Sequence, residues 1–412
     1  MSVIKVAILG FGTVGEGVYR TIQSHAEEFI AVLGKKVEVA AILIKNKQKE
    51  RGIHDNILLT SDFEEILKLP QLDVVIEAIT GKEAPFIYLK EAVTRGCHII
   101  TANKEMFAYH GKELLDLARA KNVSVGYEAT VAGGIPVIQT LRQLLKINRV
   151  SQIQGILNGT SNFILSEMRE KNQSFAESLH KAQEKGYAEA DPTNDVEGFD
   201  AFYKAMILSR IAFGEEPNWE AVERQGITSI TRELMEAAEK IGLRFKHVAS
   251  ISRDGDQVNA SVKPVLVDSE NPFYHVEGVE NAVNVHSDIV GRITLQGPGA
   301  GMFPTASAMI EDLVYVCQGK AGRRRANHSS ACIESDKKEQ KELWLVQELD
   351  GEVTIPAIKM IDEVSKGIYL VESAKEDMLQ FASQHPTVCY FSILGKVDLT
   401  VLNNEKAIVT VL

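Results

Sequence analysis

The chain has 412 residues, 45% of them hydrophobic and 25% charged, enough for two or three globular domains around a large core. Its net charge of −11 speaks against a nucleic-acid or anionic-membrane surface, and no apolar run is long enough to span a bilayer. Cys97, Cys317, Cys332 and Cys389 are scattered without metal spacing or a disulfide framework, and no secretory signal precedes the first strand, so a cytoplasmic setting is expected.

"VIKVAILGFGTVGEGVYRTI" reads as a strand, a glycine turn and a helix. Gly10, Gly12 and Gly15, with Phe11, Thr13 and Val14 between them, form G-x-G-x-x-G where the strand ends. The first glycine turns the chain, the second lets backbone approach a pyrophosphate, and the third lets helix and strand pack closely. The helix N-terminus then faces the anion. Further strands, "KVEVAAILIK", "LDVVIEAIT", "CHIITANK" and "NVSVGYEA", alternate with helical stretches near 62–69, 83–95 and 110–121. That alternation predicts a doubly wound parallel sheet that binds a dinucleotide. The second strand ends in "ILIKNK" and lacks the usual terminal acid, since Glu38 lies at its opposite end. Lys45 and Lys47 can instead meet a 2′-phosphate, which favours NADP, with NAD as the alternative.

"TANKEM" puts Thr101, Ala102 and Lys104 just past a strand, where ligands of such sheets sit. "YEATVAGGIPVI" is a second strand-end loop, able to offer carbonyls to a hard cation or an ammonium, although turn chemistry explains its glycines equally well. In "GILNGTSNFIL", Asn158 and Thr160 can bond a ligand or cap the helix that follows. In "AEADPTNDVEGFDAFYKAMILSRIAFG", Asp200, Lys204, Ile207 and Ile211 fall on one helical face. Asn194 and Glu197 resemble a capping box, and Gly214 supplies the stop. The inward first turns of this helix are therefore ionic, with Glu189, Asp191 and Asp195 upstream. Strands follow in "RVSQIQGIL", "FKHVASISR", "QVNASVKPVLV" and "NAVNVHSDIVGRITLQG", then the turn "GPGAG" and a helix over 303–318.

Together, GFGTVG, TANK, YEATVAGGIP, GILNGTSNFIL, GYAEADPTNDVEGFDAFYK and GPGAG, in this order, resemble the homoserine dehydrogenase family over roughly residues 1–320. The resemblance implies oxidation of L-homoserine to L-aspartate 4-semialdehyde with NAD(P), run reductively in threonine and methionine biosynthesis. It implies that Glu189 and Asp200 hold the substrate, and Asp195, Asn158 and Thr160 are expected in the same substrate site. Lys204 transfers the proton and Lys104 assists. Gly186 and Gly301 touch the cofactor, and the loop of Glu128, Val131, Gly133 and Ile135 binds a monovalent cation, sodium. Burial and Lys104 would disfavour the Lys204 ammonium while Asp200 and Glu189 favour it, so the direction of its shift depends on geometry.

The resemblance also implies a Rossmann NAD(P)-binding domain over 1–135 plus about 300–320 and an α+β substrate and dimerisation domain over 136–299. A homodimer or higher homo-oligomer follows. About 330–412 reads as a degenerate ACT-like domain: "KELWLVQEL" a strand, "IPAIKMIDEVSKG" a helix, "VCYFSILGKVDLTVL" a further strand region, with the basic run at 320–328 as linker. The D-x-P-G-V turn of such domains is absent, which argues against threonine feedback through it. A reductase for another amino-acid aldehyde and a non-catalytic nicotinamide-dependent regulator are the rival readings. The run through Glu189, Asp200 and Lys204 argues against the first, and the retained catalytic residues argue against the second.

Overall fold

The computed structural model describes residues 2–46, 52–319, 341–347 and 358–397. Strand β1 (Val3–Leu9) is largely buried on both faces, as a central parallel strand must be, and the glycine turn leads from it into α1 (Thr13–Ser24). Helix α2 (Ala26–Leu33), strand β2 (Lys36–Leu43), strand β3 (Leu58–Thr60) and helix α3 (Phe63–Leu67) come next. Then β4 (Val74–Glu77), α4 (Glu83–Arg95), β5 (His98–Thr101), α5 (Lys104–Ala120) and β6 (Val125–Gly126) complete the unit. The strands pair in parallel in the order β3-β2-β1-β4-β5-β6. This is the expected doubly wound sheet, and its order reverses between β1 and β4. Loops leaving those two strands diverge and open a crevice at their carboxyl ends. Helix α5 begins at Lys104 rather than near 110, because the Asn103 side chain accepts from Met106 N at 2.9 Å and caps it there.

The chain continues through α6 (Val137–Leu144), β7 (Val150–Ile156), α7 (Gly159–Lys171), α8 (Phe175–Glu184), α9 (Thr193–Val196) and α10 (Phe199–Phe213). Next come β8 (Glu223–Arg224), α11 (Arg232–Lys240), β9 (Arg244–Asp254), β10 (Gln257–Val267), β11 (Glu280–Ser287) and β12 (Gly291–Pro298). Strands β12, β11, β7, β9 and β10, in that order, form one antiparallel run of a mixed sheet. Helix α10 packs across β7, β9 and β10 on one side and against α5 and α6 on the other. Arg210 pins it there, donating to Phe107 O at 3.0 Å and Ala108 O at 2.7 Å on α5. The ionic face of α10 thus sits where the two sheets meet.

The sequence predicts one helix starting near Asn194, and the structure breaks it. Residues 193–196 make a single turn, Gly198 adopts φ 79°, and a new helix starts at Phe199. The capping box of Asn194 and Glu197 does not form. Long-range contacts set the break instead: Arg224 donates to Glu197 O at 2.6 Å and its guanidinium lies 3.6 Å over the Phe199 ring.

Helix α12 (Met302–Cys317) returns to the first sheet and packs on α1. The approach is close: a Cβ at Gly17 would lie 2.8 Å from Met302 Cγ and 2.9 Å from Met302 O. Beyond it, β13 (Glu342–Gln347), β14 (Lys359–Ser365), β15 (Ile368–Ser373), α13 (Lys375–Gln384) and β16 (Cys389–Leu394) extend the second sheet, β16 running parallel to β10. The helix expected in "IPAIKMIDEVSKG" is not there. Its described part is a strand in a hairpin turned at Lys366 and Gly367, the latter at φ 73°. The pairing partner β15 wins over the local helical pattern, and the helix comes later, at 375–384. Lys47, Cys332 and the basic run at 320–328 lie outside the described residues. Among the described residues, no helix is long and apolar enough to cross a membrane.

Gly17→Ala should overpack the α1–α12 contact and lower unfolding stability by about 1–3 kcal/mol. Urea denaturation checks this, and an unchanged midpoint would show that the contact relaxes freely.

Candidate active site

The glycine turn has the geometry its spacing calls for. Gly10 adopts φ 92°, and a Cβ there would lie 2.5 Å from Ala78 O in the β4 loop. A Cβ at Gly15 would lie 2.0 Å from Gly10 O, so only glycine lets α1 start against the strand. At Gly12, the N-cap of α1, a Cβ would meet nothing within 4 Å, so the space above the first free amides of α1 is open. Thr13 and Val14 supply that first turn, and Phe11 packs edge-on against Tyr19 at 5.7 Å. Gly10 N donates to Leu43 O at 3.0 Å, which brings the end of β2 and exposed Lys45 to the same mouth. Glu38 is at the far end, 2.6 Å from Lys5. Gly301, at φ 120°, starts α12, and Gly186, at φ 72°, follows α8 with open space around it.

The charged centre lies where α5 and α10 converge. Lys204 and Asp200 are buried, at 7% and 3% exposure, while Lys104 is half-exposed. Asp200 bridges both lysines: its Oδ1 is 2.7 Å from Lys104 Nζ, and its Oδ2 accepts from Lys204 Nζ at 2.6 Å. Lys204 Nζ also donates to Leu157 O at 2.6 Å. Asn158 does both things open to it. Its Oδ1 caps α7 by accepting from Ser161 N at 2.7 Å, and its Nδ2 donates to Asp195 at 2.6 Å and Asp200 at 2.9 Å.

These contacts decide the protonation states. Burial would raise the Asp200 carboxyl, but the two lysines outweigh it and hold the group well below the usual carboxylate range. Asp200 raises the Lys104 ammonium above its ordinary value against the effect of burial, with Asp195 and Glu189 adding to the rise. Burial pushes Lys204 the other way, helped by the positive charge of Lys104 and opposed by Asp200, and its net shift is downward. One lysine is held charged and the other is moved towards its neutral form. Asp195 is raised by burial and by the neighbouring Asp200.

Other expected residues lie further back. Thr160 Oγ1 donates to Tyr187 O at 2.6 Å, so this hydroxyl shapes the 187–189 segment. Glu189 is exposed at the rim, and its carbonyl accepts from Gln183 Nε2 at 3.1 Å. Thr101 turns its hydroxyl inward, donating to Glu77 at 2.5 Å, which leaves its backbone and that of Ala102 for the crevice. In the carbonyl loop, the Glu128 carboxylate accepts from Ile138 N at 2.7 Å and Gln139 N at 2.8 Å, capping α6. The loop is seated against the GPGAG turn: a Cβ at Gly133 would lie 2.3 Å from Gly299 O, and Gly134 N donates to Pro298 O at 3.1 Å. Burial lifts Glu128 to about 7 and Asp312 to about 6, and the guanidinium of Arg142 lowers both.

Three supporting groups escaped the sequence reading. Glu77 closes β4, an acid ending a run of apolar residues, which was the available signal. Asn281 donates to Leu157 O at 2.9 Å, the carbonyl that Lys204 uses, and packs against Gly299. His247 backs the helix break: a Cβ at Gly198 would lie 3.0 Å from its Cε1. No local pattern marks either of the last two.

A dinucleotide crevice facing a buried lysine–carboxylate centre defines a nicotinamide-dependent oxidoreductase. The family model "Homoserine dehydrogenase, NAD binding domain" matches residues 10–128, and "Homoserine dehydrogenase" matches residues 136–314. A homoserine dehydrogenase of Neisseria gonorrhoeae is 37% identical over 92% of this chain and 83% of its own. One from Pseudomonas aeruginosa is 42% identical over 77% of this chain and 73% of its own. Among solved structures, a homoserine dehydrogenase from Thiobacillus denitrificans superposes with a TM-score of 0.85 at 33% identity, covering 96% of this chain and 99% of that one. A hyperthermophilic archaeal homoserine dehydrogenase in complex with NADPH gives 0.67 at 28% identity, over 77% and 98%. The chain therefore belongs to the homoserine dehydrogenase family, NAD(P)-dependent enzymes that interconvert L-homoserine and L-aspartate 4-semialdehyde.

His247 generates a pH prediction. Burial lowers its imidazole to about 4, below the ordinary 6.5, so the folded protein keeps it neutral while the unfolded chain takes up a proton. Its contribution is fully present above pH 6.5 and declines as pH falls towards 4, by about 3 kcal/mol at most. Urea melts at stepped pH should show this slope, and His247→Gln should flatten it.

Proposed function

We propose that Lys204 is the proton donor and acceptor of the homoserine dehydrogenase reaction, with Lys104, Asp200, Asp195 and Glu189 arranging the substrate. The observation that carries this is the pair of acceptors at Lys204 Nζ, Leu157 O and Asp200 Oδ2, both at 2.6 Å. A neutral amine has two N–H bonds. Both are matched here, so the lone pair is left to accept the proton of the substrate hydroxyl as hydride departs from the carbon that bears that hydroxyl. In reduction, the ammonium has a third N–H to donate to the aldehyde oxygen. The lowered Lys204 ammonium suits the first role, and the charge retained on Lys104 steadies Asp200. The exposed Glu189 and the raised Asp195 offer carboxylates to the substrate ammonium. When bound, the nicotinamide supplies the hydride chemistry, and NADP is favoured over NAD because Lys45 stands where an acid would select the ribose hydroxyls.

The carbonyls of Glu128, Val131, Gly133 and Ile135 are proposed to hold a monovalent cation, sodium. Uncharged oxygen donors suit such an ion, and the two buried acids Glu128 and Asp312, set against one Arg142, favour added positive charge. A homodimer or higher oligomer is supported by β12, which among the described residues pairs only with β11, and by Ile147, Ile289 and Val290 exposed near that end. About 330–412 is read as the degenerate ACT-like unit, and 136–299 as the substrate domain. The enzyme would serve threonine and methionine biosynthesis in the cytoplasm.

Initial-rate oxidation of L-homoserine, with NADP and NAD in parallel, tests the assignment. Lys204→Ala should retain fold and NADPH binding while turnover falls roughly 10²–10⁴-fold. The rate of oxidation should rise with pH along a limb lying below the ordinary lysine value, and reduction should show the opposite slope. A folded Lys204→Ala protein with near-normal turnover would sink the assignment. Replacing sodium by tetramethylammonium should lower activity if the carbonyl loop is a cation site.

A further inference from the structure

Glu77 has no part in the chemistry above, yet it is fully buried beside it. Among the described residues, no lysine, arginine or histidine forms an ion pair with it, so its burial cost is offset by hydrogen bonds alone. Its Oε1 accepts from Ile79 N at 2.6 Å and its Oε2 from Thr101 Oγ1 at 2.5 Å. Thr101 Oγ1 in turn accepts from Asn103 N at 3.0 Å. Asn103 closes the ring: Nδ2 donates to Ile79 O at 2.9 Å and Gly81 O at 2.6 Å, and Oδ1 caps α5 at Met106 N. The loops after β4 and β5 are thereby tied to each other, and the first residue of α5 is Lys104.

We propose that Glu77 is a positioning residue for the reaction, clamping the 78–81 and 101–104 loops so that Lys104 is held against Asp200. This rests on the proton-transfer role given to Lys204. A carboxylate is needed because two donors, an N–H and an O–H, converge on it. Glutamine would supply one acceptor and turn its own N–H₂ towards the other donor. Burial lifts the Glu77 carboxyl to about 7, a desolvation cost accepted at the place where the donors of both loops converge.

The clamp has a signed consequence. The charge of Lys104 helps lower Lys204. If the clamp loosens and Lys104 withdraws, Lys204 retains its ammonium to higher pH.

The test compares wild type, Glu77→Gln, Thr101→Val and Lys204→Ala as full-length protein. Four quantities are read: kcat for L-homoserine oxidation against pH, KM, NADPH affinity by nucleotide fluorescence without homoserine, and the melting temperature. Glu77→Gln should lower kcat of the folded protein roughly 10–100-fold, move the rising pH limb upward and weaken NADPH binding severalfold. Thr101→Val, which removes the hydroxyl and keeps the shape, should move all three in the same direction and serves if Glu77→Gln does not fold. A lower melting temperature with wild-type kcat, pH limb and NADPH affinity would overturn the proposal, since Glu77 would then only stabilise. Inactive Lys204→Ala beside normal Glu77→Gln refutes the clamp alone. Near-normal Lys204→Ala refutes the proton-transfer reading, while the NADPH measurement still decides whether Glu77 holds the loops.

Discussion

The structure depends on one carboxylate shared by two lysines. Asp200 lies in the first turn of α10, where the free amides of the helix favour negative charge, and its two oxygens point at different ammonium groups. Removing it would leave buried Lys204 and half-exposed Lys104 without the carboxylate they share. Because Lys204 is buried and Lys104 is half-exposed, the shared carboxylate does not affect them equally. The exposed lysine keeps its charge and the buried one is driven towards the amine. The opposite directions of the two shifts follow from that asymmetry.

Bringing the three groups together requires elements from both sheets. Lys104 comes from the end of β5, Asp200 and Lys204 from a helix resting on the second sheet, and the acceptor Leu157 O from the end of β7. Arg210 fastens α10 to α5, and the return of α12 to α1 links the second unit back to the first. The GPGAG turn at the start of α12 meets the 128–135 loop, so that loop and the return to α1 share one seam. A shift of any of these elements by an ångström would be felt at Lys204.

Several buried polar groups line this seam and are satisfied largely by backbone rather than by opposite charge. Glu77 holds two loop donors, Glu128 caps a helix, and Asn158 caps another while contacting Asp195 and Asp200. Such groups stabilise little on balance, since desolvation cancels much of each bond. What they provide is a preference for one arrangement, because moving these groups would leave further buried acceptors and donors unmatched.

Periodicity and spacing alone determined the parallel sheet, the glycine turn, and the inward face carrying Asp200, Lys204, Ile207 and Ile211. These features are local: a strand, a turn and a helical stripe are each written within about twenty residues. What lay beyond reach depended on partners distant in the chain. The break at Gly198 is set by Arg224 and His247, and the strand at 359–365 by its pairing with 368–373. The hydroxyl of Thr101 faces inward because Glu77 waits on the neighbouring strand. The direction of the Lys204 shift had to come from tertiary structure as well, since burial and Lys104 oppose Asp200 and only their distances decide which prevails. Residue types announce which charges are present, but a pKa is a sum over surroundings, and those surroundings exist only once the two sheets have met.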